Sequence, residues 1–254
     1  MPTSPQSNTQ QSTHRSPESD AATPDERCAL AKDGYFIRRG MFDEQAISAL
    51  ESLGDAAVEL HNAAVDDSSI SKKNRITFVN SGGDRSPSAH GLLAFSLQAR
   101  VAALARSIAG PNAAHFAYQL VYKHPHNPDV FPWHQDDSYT ASNTGYFTLW
   151  LAISDATVDN GCLRVLPGES LDGLRDFEMT DLGRTCWPLD HPNQGVPVEL
   201  KRGDAVIFTS KMLHSSGANT TDGFRKGLIV AFIDSHAVST RTGDRFKTVP
   251  YPDA

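Results

Sequence analysis

Around residue 115 the chain changes its texture, and that change limits the folds open to it more than any other feature. Ahead of it the pattern is helical. Thr23-Pro24-Asp25-Glu26 places a capping threonine, a proline at the first helical position and a glutamate three residues after the cap, and Gly34 closes that short helix. Tyr35-Phe36-Ile37 reads as a strand. A second helix follows Asp43, with Glu44 in its first turn and Ile47, Leu50 and Leu53 near helical spacing. A third is expected over Ser96 to Ile108, with Leu97, Val101 and Leu104 on one side and Gly110 as its stop. Beyond residue 115 come short β-type runs: His115 to Tyr122, Tyr146 to Ile153, Leu163 to Leu166, Ala205 to Thr209 and Leu228 to Ile233. They are separated by Asn160-Gly161, Pro167-Gly168, Arg202-Gly203-Asp204 and Asp222-Gly223. Helices first and many short strands after predict a mostly β fold with flanking α, in which helices pack on an antiparallel sandwich or barrel.

Two stretches stand outside this pattern. Residues 1–22, rich in Ser, Thr, Gln and Pro, hold too little apolar surface to offset chain entropy, so a disordered tail is expected there, followed by one domain over 23–254. Asp172 to Val198 carries three prolines and little periodicity and reads as a long loop at the mouth of a site.

Charge and cysteine usage remove several function classes. A net charge of −7 does not favour nucleic acid or an anionic membrane as partner. No apolar run approaches the roughly 20 residues that span a bilayer. Cys28, Cys162 and Cys186 are odd in number and widely spaced, which predicts free thiols in a reducing cytoplasm rather than a disulfide framework or a zinc site.

The chemistry concentrates in Phe131-Pro-Trp-His-Gln-Asp-Asp137. On extended chain, residues i and i+2 point the same way, so His134 and Asp136 converge on one point. His214, after the run Ala205 to Thr209, is the candidate third ligand. Two histidines and one carboxylate make the facial triad of non-haem iron(II) oxygenases, which leaves coordination positions open. Taken alone, a His-x-Asp pair is weak evidence, because surface histidines and aspartates are common. Arg225, at the edge of the apolar run Leu228 to Phe232, calls for an anion. That anion is either a protein carboxylate or one brought by a ligand.

Several motifs in order resemble the phytanoyl-CoA dioxygenase family of iron(II)/2-oxoglutarate oxygenases, from about residue 31 onward. They are Asp33-Gly34-Tyr35-Phe36; Lys123 with Pro125; Pro132-Trp-His-Gln-Asp136; Trp150 to Asp155; Asn160 to Gly168; and Gly203-Asp204 through His214-Ser-Ser-Gly-Ala-Asn219 to Arg225. The resemblance implies a double-stranded β-helix (jelly-roll, cupin-like) core with N-terminal helices packed on one sheet. It implies iron(II) on His134, Asp136 and His214, with 2-oxoglutarate and O2 as co-substrates. It further implies that Arg225 and Ser216 hold the distal carboxylate of 2-oxoglutarate. Gln119 matches a co-substrate position of some members, although a solvent-facing role suits it equally. Trp150 either walls the pocket or packs in the core. The turn Pro167-Gly168-Glu169-Ser170 lacks the histidine that closes it in many members.

The activity so implied is hydroxylation of a C–H bond, or a related desaturation or ring closure, on a small molecule with release of succinate and CO2. An aspartate at 136 speaks against halogenation. A cupin-like hydrolase or lyase, or a non-catalytic binding module, is the alternative. The substrate expected is hydrophobic or amphipathic, its pocket shaped by His124, His126, Asp137, Tyr139 and the loop from Asp172. Ser71-Lys-Lys-Asn-Arg75 reads as a solvated basic loop. The oligomeric state is left open.

Overall fold

A computed structural model describes residues 20–64, 76–80, 86–168, 173–180, 183–186 and 194–252. Four helices come mainly from the N-terminal part: α1 (Pro24–Asp33), α2 (Glu44–Ala64), α3 (Pro87–Ser96) and α4 (Ala99–Ala109). A seven-stranded antiparallel sheet contains β1 (Tyr35–Arg38), β2 (Ile76–Asn80), β3 (Ala113–Lys123), β5 (Phe147–Ala152), β10 (Ala205–Thr209), β12 (Arg225–Asp234) and β13 (Val249–Pro250). Its order is β1-β10-β5-β12-β3-β13, with β2 also on β3. A four-stranded sheet runs β4 (Phe131–His134), β11 (His214–Ser216), β6 (Leu163–Val165) and β9 (Val196–Val198).

Alternation along the large sheet decides what each face meets. Leu120, Leu149, Leu151, Leu228 and Val230 point to the helices, where they share a buried cluster with Ile47, Leu50, Leu92, Val101 and Leu104. Each such fully buried side chain contributes about 1.5–3 kcal/mol. The opposite face looks toward the small sheet. There Trp150, Ala152, Val206 and Phe208 pack with Leu163, Val165 and Val198. Rows across the strands are fixed by register: Gln119, Ile229 and Trp150 stand side by side, and Arg225 stands opposite Lys123. Two antiparallel sheets facing one another, with helices outside the larger one, are the expected double-stranded β-helix.

The helix at Thr23 forms as its sequence dictates, with a reciprocal capping box between Thr23 and Glu26 and Gly34 left-handed at its end. Asp43 caps α2, its carboxylate accepting from the Ala46 amide at 2.8 Å. The helix expected over Ser96 to Ile108 is displaced. Ser96 ends α3, which the sequence reading passed over, and α4 begins only at Ala99. The overlooked signal is Ser86-Pro87: the serine hydroxyl caps the Ala89 amide and proline sits at the first helical position.

The stretch Asp172 to Val198 also departs from expectation, since its described parts hold a hairpin, β7 (Glu178–Thr180) with β8 (Gly183–Thr185), and the edge strand β9. Three-residue strands are too short for periodicity to register. Residues 1–19 of the expected tail, the Ser71 to Arg75 cluster and Glu169-Ser170 lie outside the described residues. Asp20 and Ala22, placed in the tail by composition, are buried. Asp20 pairs with Arg100 at 3.2 Å, and the Ala22 amide donates to Ser107 Oγ at 2.8 Å. All three cysteines are free.

Candidate active site

The small sheet brings the two histidines together. β4 and β11 are neighbours, and His134 and His214 are direct antiparallel partners with ring centroids 4.1 Å apart. Asp136 lies just past the end of β4, in the 3-10 turn Asp136–Ser138, after an extended Gln135. Its Oδ1 reaches 3.7 Å from His134 Nε2 and 3.6 Å from His214 Nε2. All three ligand atoms fall within 4.8 Å of one another.

Each ring is oriented from behind. His134 Nδ1 is 2.8 Å from the Pro132 carbonyl and His214 Nδ1 is 2.9 Å from the Met212 carbonyl. A carbonyl only accepts, so both Nδ1 atoms carry the proton and both Nε2 lone pairs face inward, ready for a metal. Burial, then the neighbouring His214, pushes the His134 imidazole well below its ordinary pKa, which keeps it neutral as a ligand. The Thr148 hydroxyl donates to Asp136 Oδ2 at 2.9 Å, which steadies the carboxylate while Oδ1 faces the histidines. The donor set of two imidazole nitrogens and one carboxylate oxygen fits ferrous iron with open positions.

These groups open into a cavity of about 630 Å³, within the usual range for small-molecule sites. Gln119, Trp150, Ser216 and Arg225 line it. Arg225 is fully buried, and among the described residues its Nε and Nη1 have no hydrogen-bond partner, although a guanidinium desolvated so completely requires one. Burial pushes its pKa down to about 10. Its guanidinium carbon lies 5.2 Å from the Trp150 ring. Among the described residues no carboxylate pairs with Arg225, so the protein salt bridge that the sequence had left open is not formed there. Trp150 is buried and lines the cavity. Gly227 makes room for it: a Cβ there would stand 2.7 Å from Trp150 Cε2 and overlap the indole further out.

Three residues expected to shape the substrate pocket do not line it. Asp137 turns into a buried space near Ser210 and Lys211, where burial raises its carboxyl pKa. His126 sits at the surface with Asp222 Oδ1 2.9 Å away, and His124 packs on Phe224 at 4.9 Å. Tyr139 does line it, with Phe116, Phe131 and Tyr146. The hairpin reaches this wall, where Gly183 lines the cavity and the Arg184 amide donates to Tyr139 Oη at 2.7 Å. Thr148, Gly227 and a buried Lys123 belong to the surroundings of the site without having been assigned a role from sequence. Only the pairing of strands discloses what each one touches.

Known proteins resemble this chain in sequence and in fold. "Phytanoyl-CoA dioxygenase 1" of Oryza sativa subsp. japonica is 33% identical over 149 residues, covering 56% of this chain and 52% of its own. "2-Aminoethylphosphonate dioxygenase" of the uncultured bacterium HF130_AEPn_1 is 27% identical over 144 residues, covering 56% and 54%. The chain therefore spans about half the length of the curated relatives it matches. Among solved structures, the non-haem α-ketoglutarate-dependent carbocyclase SnoK from nogalamycin biosynthesis superposes with a TM-score of 0.72 at 21% identity, covering 89% of this chain and 94% of that one. EvdO2 of Micromonospora carbonacea var. aurantiaca, solved with 2-oxoglutarate, gives 0.69 at 18%, covering 88% and 95%. These two likenesses show the fold. No single helix among the described residues is long and apolar enough to cross a membrane. Residues 30–227 match the phytanoyl-CoA dioxygenase family, and the chain belongs to it.

Proposed function

We propose that this chain is an iron(II)- and 2-oxoglutarate-dependent oxygenase that hydroxylates a C–H bond of a small molecule, releasing succinate and CO2. The observation that carries the reading is the conjunction of three converging ligand atoms with a buried guanidinium on the same cavity wall, whose Nε and Nη1 have no partner among the described residues. A hydrolase or lyase on the same barrel needs a metal but has no use for that second anion site. Family membership supports the reading, as does the fold shared with a protein solved with 2-oxoglutarate.

His134, Asp136 and His214 would hold iron(II), which supplies the capacity to activate O2 as 2-oxoglutarate is oxidatively decarboxylated. The remaining work falls to the chain itself. Thr148 steadies the Asp136 carboxylate, and the Pro132 and Met212 carbonyls fix the histidine tautomers. Arg225, with Ser216, takes the distal carboxylate of the oxo-diacid in a two-pronged pair, and Trp150 backs the guanidinium. Gln119 lines the same cavity, in one row with Ile229 and Trp150, which supports a contact with the co-substrate.

Phe116, Phe131, Tyr139 and Tyr146 make the other half carbon-rich and exclude water, which suits a hydrophobic or amphipathic metabolite. An aspartate in the ligand set favours hydroxylation, desaturation or ring closure over halogenation. The negative net charge favours neither nucleic acid nor an anionic membrane as partner, and free cysteines suit the cytoplasm. The test is succinate formation from 2-oxoglutarate with iron(II), ascorbate and a metabolite library, read by mass spectrometry for products gaining one oxygen. Turnover that proceeds equally without 2-oxoglutarate would refute the assignment.

A further inference from the structure

Behind the co-substrate wall lies a second buried cation. Lys123 ends β3 opposite Arg225, has no exposed surface and is not among the residues that line the cavity. Its Nζ donates to Ser216 Oγ at 3.1 Å and to the Asp129 carbonyl at 3.2 Å, and also to the Gly217 carbonyl. All three acceptors are neutral. An ammonium has three protons, and three good neutral acceptors occupy it without cancelling its charge. Two basic side chains therefore sit on facing strand positions inside the protein, one behind the wall and one in it.

Ser216 links them to the cavity. Its oxygen accepts from Lys123, so its own proton is directed away from the ammonium, and Ser216 lines the same cavity as Arg225. We propose that Lys123 is a positioning residue of the oxo-diacid subsite: it turns the Ser216 hydroxyl into a donor toward the distal carboxylate and adds a second positive charge behind Arg225. This rests on the reading of the site as a 2-oxoglutarate site. A dianion entering there meets the desolvated Arg225 cation and a buried amine whose protonated form its own charge favours.

The same geometry gives a pH signature. Burial, then the neighbouring Arg225, pushes Lys123 down to about 6, while Asp129 and Cys162 act in the opposite direction. These are the charged or titratable groups acting on it among the described residues. An incoming dianion favours the protonated amine, so co-substrate affinity falls as pH rises above that range.

The experiment titrates 2-oxoglutarate into the iron(II) protein under nitrogen, follows the visible charge-transfer band, and repeats this from pH 6 to 9. The wild type is expected to lose affinity with rising pH. Lys123→Met is expected to weaken Kd by about tenfold at pH 6.5, the scale of one charge-assisted hydrogen bond, with a flattened profile and a smaller fall in kcat at saturating 2-oxoglutarate. Ser216→Ala is expected to weaken Kd in the wild-type background and to add little in the Lys123→Met background. A Lys123→Met protein with wild-type affinity and profile overturns the proposal. If that variant does not fold, a wild-type profile that is flat from pH 6 to 9 overturns it instead. Failure of the wild type to bind 2-oxoglutarate at all would instead refute the oxygenase reading itself.

Discussion

His134 and His214 face each other as partners across two antiparallel strands, their rings 4.1 Å apart and their Nδ1 atoms each committed to a carbonyl two residues back along the chain. The repeated bond gives both imidazoles the same tautomer and the same inward aim. A candidate metal site is thus built from strand pairing, with one carboxylate added from the turn that follows β4.

Removing the support for that carboxylate should weaken the metal without removing a ligand. Thr148→Val keeps shape and loses the hydroxyl that donates to Asp136 Oδ2. Iron(II) affinity is expected to fall about 10- to 100-fold, the usual effect of losing such a partner. Competition with a chelator measures it, and unchanged affinity would show that Asp136 needs no such support.

Arg225→Ala should raise the KM for 2-oxoglutarate far more than it lowers kcat. Arg225→Lys should recover little, because a point charge cannot reproduce the planar fork. Steady-state kinetics with varied 2-oxoglutarate checks both. A KM equal to wild type in the alanine variant would remove Arg225 from the co-substrate site.

Gly227→Ala should disturb the same subsite from a distance. The added methyl overlaps the Trp150 indole, which lies against Arg225. Overpacking of this kind costs about 1–3 kcal/mol. A lower Tm together with weaker 2-oxoglutarate binding is expected, whereas a lower Tm alone would mean that Trp150 does not position Arg225.

His115 should make the fold acid-sensitive. It is buried, neither ring nitrogen has a partner among the described residues, and burial lowers its pKa to about 4. The unfolded chain takes up the proton first as pH falls through about 6.5, so stability is lost between that pH and about 4, by at most about 1.4 kcal/mol per pH unit. Urea melts at pH 7 and pH 5 should show this loss reduced in His115→Phe. An equal loss in both proteins would place the acid sensitivity elsewhere.

Much of this site was legible in the sequence because its residues sit in local patterns. The His-x-Asp pair on extended chain, and His214 just after a strand, carry their geometry in their spacing. The turn pairs and the runs after residue 115 announced the antiparallel architecture. What was hidden depends on register. Nothing near Thr148 says that it meets Asp136, since β5 and the turn after β4 come together only when the two sheets face. Lys123 and Arg225 become neighbours only when β3 and β12 pair. Asp137, adjacent to a ligand, was expected in the pocket. The 3-10 turn rotates it away, because successive residues there no longer share or alternate faces as they do on a strand. The helix α3 was missed because its buried positions include Ser88 and Ser96 beside Leu92 and Phe95, which leaves little apolar periodicity to detect, although Ser86-Pro87 marked its start.

The most direct test is a crystal structure of the protein grown without oxygen with iron(II) and 2-oxoglutarate, with iron located by its anomalous scattering. The expected result is one iron bound by His134 Nε2, Asp136 Oδ1 and His214 Nε2, with the far carboxylate of 2-oxoglutarate on Arg225. Iron held by a different set of side chains, or a diacid whose far end lies away from Arg225, would contradict the account.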